Sequence, residues 1–385
     1  MYAYEKKTKY SYAFRTPEEL SYICRRNALN IPVSKDISPL SREVTVRTGN
    51  GGLTLKNAIA VHPMDCLDAL PDGSPSPMAK RRWLRFSACG ASMIYCGVAS
   101  VFPRHGGGEL CISSDNTQEY KTIINEMRTG YSPVLILQLS ANGAPAGTDK
   151  SLLPSLFARS AATAFEAGFD GVDIRLPRGG YSQSEYKSLL YEILSAVSAV
   201  SPECGVLSLR YISDFSDTDP DFISALAGIG LSVISVTAGS QEEEPDVCMP
   251  ANIPQSSLST SPLTAAEKLL SESQRIKMLV PDVCVMASGL SYFKELAPFV
   301  ASGAIESGMC DMVGFGRMAL ASSSFADNFI SGRTDAKKSC VACGKCTKLY
   351  LSGETVGCPV RDQSIYLPLL RKVMGKKQKT RKALC

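Results

Sequence analysis

Four cysteines near the end of this 385-residue chain stand at ligand spacing: Cys340-Val-Ala-Cys343-Gly-Lys-Cys346, then eleven residues to Cys358-Pro359. Three thiols in C-x2-C-x2-C with a distant fourth before proline suit an iron–sulfur cluster, and a tetrahedral zinc ion is equally satisfied by four thiolates. The other ten of the 14 cysteines follow no ligand spacing and read as free thiols that behave as small hydrophobes. A second candidate is Asp311-Met-Val-Gly314-Phe-Gly316-Arg317-Met-Ala319, a strand running into a glycine turn and a helix. Such a turn aims backbone N–H groups and a helix dipole at an anion. It also mimics the dinucleotide fingerprint G-x-G-x-x-A, but no further strand with an acidic end follows to hold a ribose. Only two histidines exist, His62 and His105, which nearly excludes histidine acid–base chemistry. His62 reads as a packed residue rather than a base.

These groups need a scaffold, and the spacing of apolar runs supplies one. Candidate strands fall near 57–62, 92–96, 133–138, 171–175, 206–210, 231–236, 283–287 and 311–315. Between them the pattern predicts helices at 77–89, 116–129, 151–167, 183–200, 219–229, 262–279, 291–307 and 318–330. Ser76-Pro77 and Ser261-Pro262 place a capping hydroxyl and an N1 proline at two of the helix starts. Eight strands, each followed by a helix, over roughly 280 residues predict an α/β fold, a closed (β/α)8 TIM barrel. A doubly wound open sheet is the alternative. The division expected is an N-terminal extension over 1–50, the barrel over 51–333, a four-cysteine module over 334–365 and a basic tail over 366–385. The last fifteen residues carry seven basic ones, read as a solvated end.

Composition narrows the function. A net charge of +4 from 41 basic and 37 acidic residues gives no nucleic-acid-binding surface, and 44% hydrophobic residues can fill a large core. No stretch approaches the roughly 20 apolar residues that cross a bilayer, and the N-terminus lacks a signal-peptide run, so a cytoplasmic protein acting on small molecules is expected. Barrel sites lie at the C-terminal ends of strands. That rule selects His62-Pro63-Met64, Gly97, Gln138, Arg175, Arg210, Gly239, Gly289 and Gly316-Arg317, the last two forming a phosphate site from the seventh and eighth strand loops.

The motifs Lys56-Asn57-Ala-Ile-Ala-Val-His62-Pro63-Met64, Pro71-Asp72-Gly73, Leu135-Ile-Leu-Gln138-Leu139, Phe169-Asp170-Gly171-Val-Asp173-Ile174 and Val313-Gly314-Phe-Gly316-Arg317 occur in that order. From Leu55 to Cys358 the chain resembles the old yellow enzyme family, in the branch that includes 2,4-dienoyl-CoA reductase. The resemblance implies FMN in the barrel mouth, with Pro63, Met64 and Gly97 against the flavin ring. It implies Gln138 on the pyrimidine edge, Arg210 facing the flavin N1 and O2 region, and the phosphate at Gly289, Gly316 and Arg317. A salt-bridged barrel arginine is the alternative for Arg210. A [4Fe-4S] cluster at Cys340, Cys343, Cys346 and Cys358 is likewise implied, with zinc as the alternative.

Where relatives carry His/Asn-x-x-His and Gly-Tyr, this chain reads Arg175-Leu-Pro-Arg178-Gly-Gly-Tyr181, and the long loop that follows in the family is missing. Two arginines could clamp a carboxylate or phosphate in bidentate fashion, or stand as rim charges. Tyr181 is the candidate proton donor. The function expected is an FMN-dependent ene-reductase in which NAD(P)H or an electron-carrier protein reduces the flavin, which then gives hydride to an activated, anionic alkene. The alternative is a flavin and iron–sulfur electron relay, or a barrel that has lost catalysis. An oligomer is compatible with either.

Overall fold

The computed structural model describes residues 14–102, 108–130, 132–145, 147–215, 219–239, 250 and 261–383, with side chains described as far as 375. The barrel strands are β3 (Ile59–Val61), β4 (Met93–Ser100), β6 (Val134–Ser140), β7 (Gly171–Arg175), β8 (Val206–Ser213), β9 (Val233–Ala238), β10 (Cys284–Ala287) and β11 (Met312–Phe315). Each pairs in parallel with the next, and β11 pairs back onto β3 while β3 pairs with β4, so the sheet closes. This is the (β/α)8 barrel the strand count predicts. Two small pieces lie outside the barrel circuit: the hairpin β1 (Val44–Thr48) and β2 (Gly51–Leu55), and the short β5 (Leu110–Cys111) beside β4.

Alternation along each strand sorts side chains between two apolar clusters. Outward residues such as Leu135, Leu137, Val172, Leu207, Leu209, Val285 and Phe315 meet the helices in the main core. Inward residues Ala60, Tyr95, Ile136, Val206, Val233, Met286 and Met312 fill the lower barrel, and the hairpin's Val46 and Leu55 plug it from below. The period of two is the reason: one strand residue in two faces the axis. The hairpin therefore makes the N-terminal segment a floor to the barrel.

Helix starts follow their caps. The Ser76 hydroxyl accepts from the Met78 and Ala79 amides ahead of the helix Pro77–Ser87, and Ser261 caps Pro262–Leu279. Ser182 and Glu185 form a reciprocal capping box at Gln183–Val200. Two predicted helices are broken. The seventh is a 3-10 segment, Leu290–Leu296, kinked within itself at Lys294, whose φ is 56°, and followed by the helix Ala297–Glu306. The eighth splits into Arg317–Ala321 and Phe325–Ile330 at a run of serines, with Ser322 extended.

The cysteine module shares the barrel's core: Cys340, Ala342 and Val356 belong to the main apolar cluster. The Val356 amide donates to the Cys66 carbonyl at 2.8 Å, and Arg81 grips Asp362 at 2.8 and 3.2 Å. What the sequence suggested was a solvated tail is helical over Gln363–Ala383, because Tyr366, Leu370 and Val373 are buried against Leu349. No described helix is long and apolar enough to cross a membrane.

The loop that leaves β3 is anchored from beneath. Arg82 and Asp68, both buried, make a two-pronged ion pair at 2.7 and 3.0 Å, and Arg82 also donates to the Cys96 carbonyl. This fixes the segment after His62-Pro63-Met64 to the first barrel helix and to β4.

Candidate active site

A cavity opens at the C-terminal ends of the strands. Its barrel side is lined by His62, Pro63, Met64, Arg210, Gly289 and Gly316-Arg317, and its other side by Cys346, Thr347, Tyr350 and Val356 of the cysteine module. Gly289 has φ +87°, and a Cβ there would meet Leu269 at 2.7 Å, so the turn requires glycine. Arg317 is buried: its Nη2 donates to the Pro250 carbonyl at 2.6 Å, while the buried Nη1 has no partner among the described residues. A buried guanidinium nitrogen left open beside a cavity suits an anion. The helix that begins at Arg317 has only five residues, and Ser291 Oγ accepts the Met318 amide at 3.3 Å. The guanidinium, more than the helix dipole, is therefore the anion-binding element of this turn.

Beneath the cavity the inward-facing residues become polar. Asp173, fully buried on β7, accepts from Gln138 Nε2 of β6 and from Ser208 Oγ of β8, each at 2.5 Å, and Ser208 Oγ stands 2.9 Å from the Tyr95 hydroxyl. Burial pushes the Asp173 carboxyl up to about 6 against the opposing pull of Gln138, Ser208, Arg210 and Arg175. Across the barrel, Arg210 Nη1 donates at 3.1 Å both to Ser235 Oγ and to His62 Nδ1, while His62 Nε2 donates to the Ala287 carbonyl at 3.3 Å. Burial and the adjacent Arg210 hold the imidazole well below its ordinary pKa, so it is neutral with its proton on Nε2. His62 is a packed residue, as its sequence context suggests. His105 lies outside the described residues.

The other expected groups divide. Pro63, Met64, Arg210, Gly289, Gly316 and Arg317 line the cavity together. Gln138 lies just below it, and its Oε1 has no partner among the described residues. Gly97 sits within β4 at a register shift, and a side chain there would face Leu110, Arg82 and Trp83, away from the cavity. Arg175 is half-buried at the end of β7, makes no hydrogen bond or ion pair among the described residues, adds its charge to the surroundings of Asp173 and, like Tyr181, is not a lining residue of the cavity. Arg178 is engaged, donating to the Ile212 carbonyl at 2.7 Å and to Asp214 at 2.8 Å, with its guanidinium over Tyr186. Tyr181 lies under the Lys150 ammonium, 4.4 Å from its ring, and is not a lining residue. The arginine pair is thus one free guanidinium and one tied down.

No protein-family profile matches the sequence, and no curated protein matches it. Among solved structures the chain is similar to 2-naphthoyl-CoA reductase in complex with 2-naphthoyl-CoA, at TM-score 0.65 and 14% identity over 84% of this chain. It is similar to morphinone reductase in complex with tetrahydroNAD, at TM-score 0.53 and 17% identity over 76% of this chain and 91% of that one. The old yellow enzyme homologue from Zymomonas mobilis gives TM-score 0.54 and 14% identity over 76% and 92%. The fold is that of the old yellow enzyme homologues. The chain spans little more than half, 57%, of the 2-naphthoyl-CoA reductase chain.

The cavity's lining brings Gly289, Gly316 and Arg317 together, and Arg317 Nη1, without a partner among the described residues, suits an anionic group there. The module's thiols fit ligation by their chemistry. Cys340 Sγ accepts the Ala342 amide at 3.3 Å, and the Val360 and Arg361 amides face Cys358 and favour its thiolate. Burial raises the Cys340, Cys346 and Cys358 thiols, each is raised further by neighbouring thiols of the set, and Arg317 pulls Cys340 and Cys346 back down. The four therefore lie within electrostatic reach of one another. Among the described residues, however, no three such groups are already drawn to metal-holding distance.

Asp173 and the Ser208–Tyr95 chain below it carried no individual expectation. Their signal was parity: a carboxylate two residues after an inward glycine, between Val172 and Ile174. Because Asp173 titrates at about 6 when folded against 3.8 ordinarily, its ionised form opposes folding above pH 6, and the penalty fades as pH falls from 6 towards 4. The expected result is that Asp173→Asn is more stable than wild type near pH 8, by on the order of 3 kcal/mol at 1.36 kcal/mol per pKa unit. The gap should close near pH 4, as followed by urea unfolding; a variant less stable than wild type at pH 8 would contradict the assignment.

Proposed function

We propose that this chain is an FMN-dependent oxidoreductase of ene-reductase type. The observation that carries it is the buried Arg317 Nη1, without a partner among the described residues, beside the cavity of an old-yellow-enzyme-like barrel. Arg317 with the Gly289 and Gly316 turns would hold the phosphate, Pro63 and Met64 would flank the ring system, and Gln138 and Arg210 would meet its polar edge. FMN bound there would supply hydride, from its reduced ring, to an alkene conjugated to a carbonyl. A fixed cation at Arg210 favours an anionic reduced flavin. The nicotinamide analogue in the morphinone reductase complex supports NAD(P)H as the electron source, with an electron-carrier protein the other candidate. Cys340, Cys343, Cys346 and Cys358 would hold a [4Fe-4S] cluster on the far wall of the same cavity, with zinc the competing ion.

Arg175 recognises an anionic substrate group in this reading, alone, because Asp214 and the Ile212 carbonyl occupy Arg178. A second reading, an electron relay without alkene reduction, is favoured by the position of Tyr181 outside the cavity. Catalysis then needs its proton from water or from Tyr350, the one phenol among the lining residues.

Two outcomes are expected. Apo-protein titrated with flavin, followed by fluorescence quenching, should bind FMN and not FAD, and Arg317→Ala should weaken FMN by roughly ten- to a hundredfold, the value of a charge-assisted hydrogen bond. Equal binding of FMN and FAD, or an unchanged Kd in the variant, would remove the phosphate site. Assayed against a matched enoate and neutral enone, Arg175→Gln should lose about ten- to a hundredfold in kcat/KM on the enoate alone, while Arg178→Gln spares both. Equal losses on both substrates would make Arg175 scaffold, and FMN binding without turnover of either would favour the relay.

A further inference from the structure

We infer that Asp173 is a positioning residue: it locks the Gln138 amide so that its carbonyl oxygen, and not its NH2, is the group the barrel presents to a bound flavin. The inference rests on FMN occupying the barrel mouth. Among the described residues Asp173 makes no ion pair, although the charges of Arg210 and Arg175 act on it, and Arg210 Nη1 donates to His62 and Ser235. The carboxylate is instead held by two hydrogen-bond donors, Gln138 Nε2 and Ser208 Oγ. Filling this position with a hydrocarbon would remove a desolvation penalty, so the carboxylate has no stabilising purpose of its own.

Its effect on Gln138 follows from donor and acceptor identity. An ionised carboxylate can only accept, so the amide must turn an N–H towards it, and Oε1 is left on the other side. That oxygen has no partner among the described residues, although Gln138 is almost wholly buried. A free acceptor in this layer recognises an N–H donor, and the imide N3–H of the flavin pyrimidine ring is one. Protonation turns Asp173 into a donor and removes the restraint. The groups facing the carboxyl are Gln138 from β6, Ser208 and Arg210 from β8, Tyr95 from β4 through Ser208, and Arg175 on its own strand. Of these, burial keeps the Tyr95 hydroxyl neutral across the pH range in which Asp173 titrates.

The test uses apo-protein and two ligands, FMN and FMN methylated at N3, which has lost the N–H. At about pH 8 wild type should prefer FMN by roughly tenfold or more, as for a hydrogen bond to an otherwise unsatisfied buried group. Asp173→Asn, with its fold checked by circular dichroism, should bind FMN about tenfold more weakly and keep only about a twofold preference. In wild type the preference should narrow in the same way as pH falls from about 8 to about 5, and in the variant it should stay flat. A merely structural role would move both ligands together. Should the variant not fold, the wild-type pH series decides alone. A folded variant with unchanged preference, or a wild-type preference that does not vary with pH, overturns the assignment of Asp173. No binding of FMN by wild type overturns the flavin reading, and this inference with it.

Discussion

A closed barrel of eight strands has an interior that side chains must fill, and here the filling changes character at one level. Below that level the inward residues are Ala60, Ile136, Val206, Val233, Met286 and Met312, sealed by the β1–β2 hairpin. Two residues further along the same strands they are His62, Gln138, Ser208, Ser235, Ser288 and Gly314. The boundary is sharp because one step along a strand, taken on one face, moves about 6.6 Å. The lower half supplies the apolar burial that holds the strands in register, and so allows the upper half to hold groups that burial disfavours. Arg210, His62 and Asp173 depend on that rigid base.

The upper layer is electrostatically divided. One side holds a cation, Arg210, whose neighbour His62 is kept neutral by burial and by that same charge. The other holds a carboxylate that, among the described residues, has no direct counter-ion and is satisfied by an amide and a hydroxyl. A direct Arg210–Asp173 pair would neutralise both and leave nothing for a ligand. Kept apart, they give the cavity floor one donating side and, through Gln138, one accepting side, which suits a heteroaromatic ring bearing both kinds of edge. Arg317, further out, adds the positive charge at the rim and also faces the thiols of the module.

Much of this was legible in the residues. The spacing of short apolar runs such as Leu135 to Leu139, and the Ser-Pro caps, gave the barrel and most helix limits. The rule that strand ends carry the site pointed to Pro63, Met64, Arg210, Gly289 and Arg317, which line one cavity. What one sequence could not show was pairing. Arg175 and Arg178 look equivalent in the chain, yet Asp214 and the Ile212 carbonyl, 34 to 36 residues away, claim one and leave the other. Gly97 looked like a strand end because the register shift after Tyr95, which prolongs β4, has no composition signal of its own. The helical character of residues beyond Gln363 was hidden by their charge, since three buried side chains facing Leu349 decide it.

The central claim is that this polar layer and Arg317 together make a flavin site. It is tested most directly by identifying what the protein carries when purified without oxygen: cofactor released by denaturation, with iron and zinc measured alongside. The account predicts FMN at one per chain, with iron bound at the four-cysteine module. Protein that carries no flavin, and takes up none on reconstitution with FMN, would contradict it.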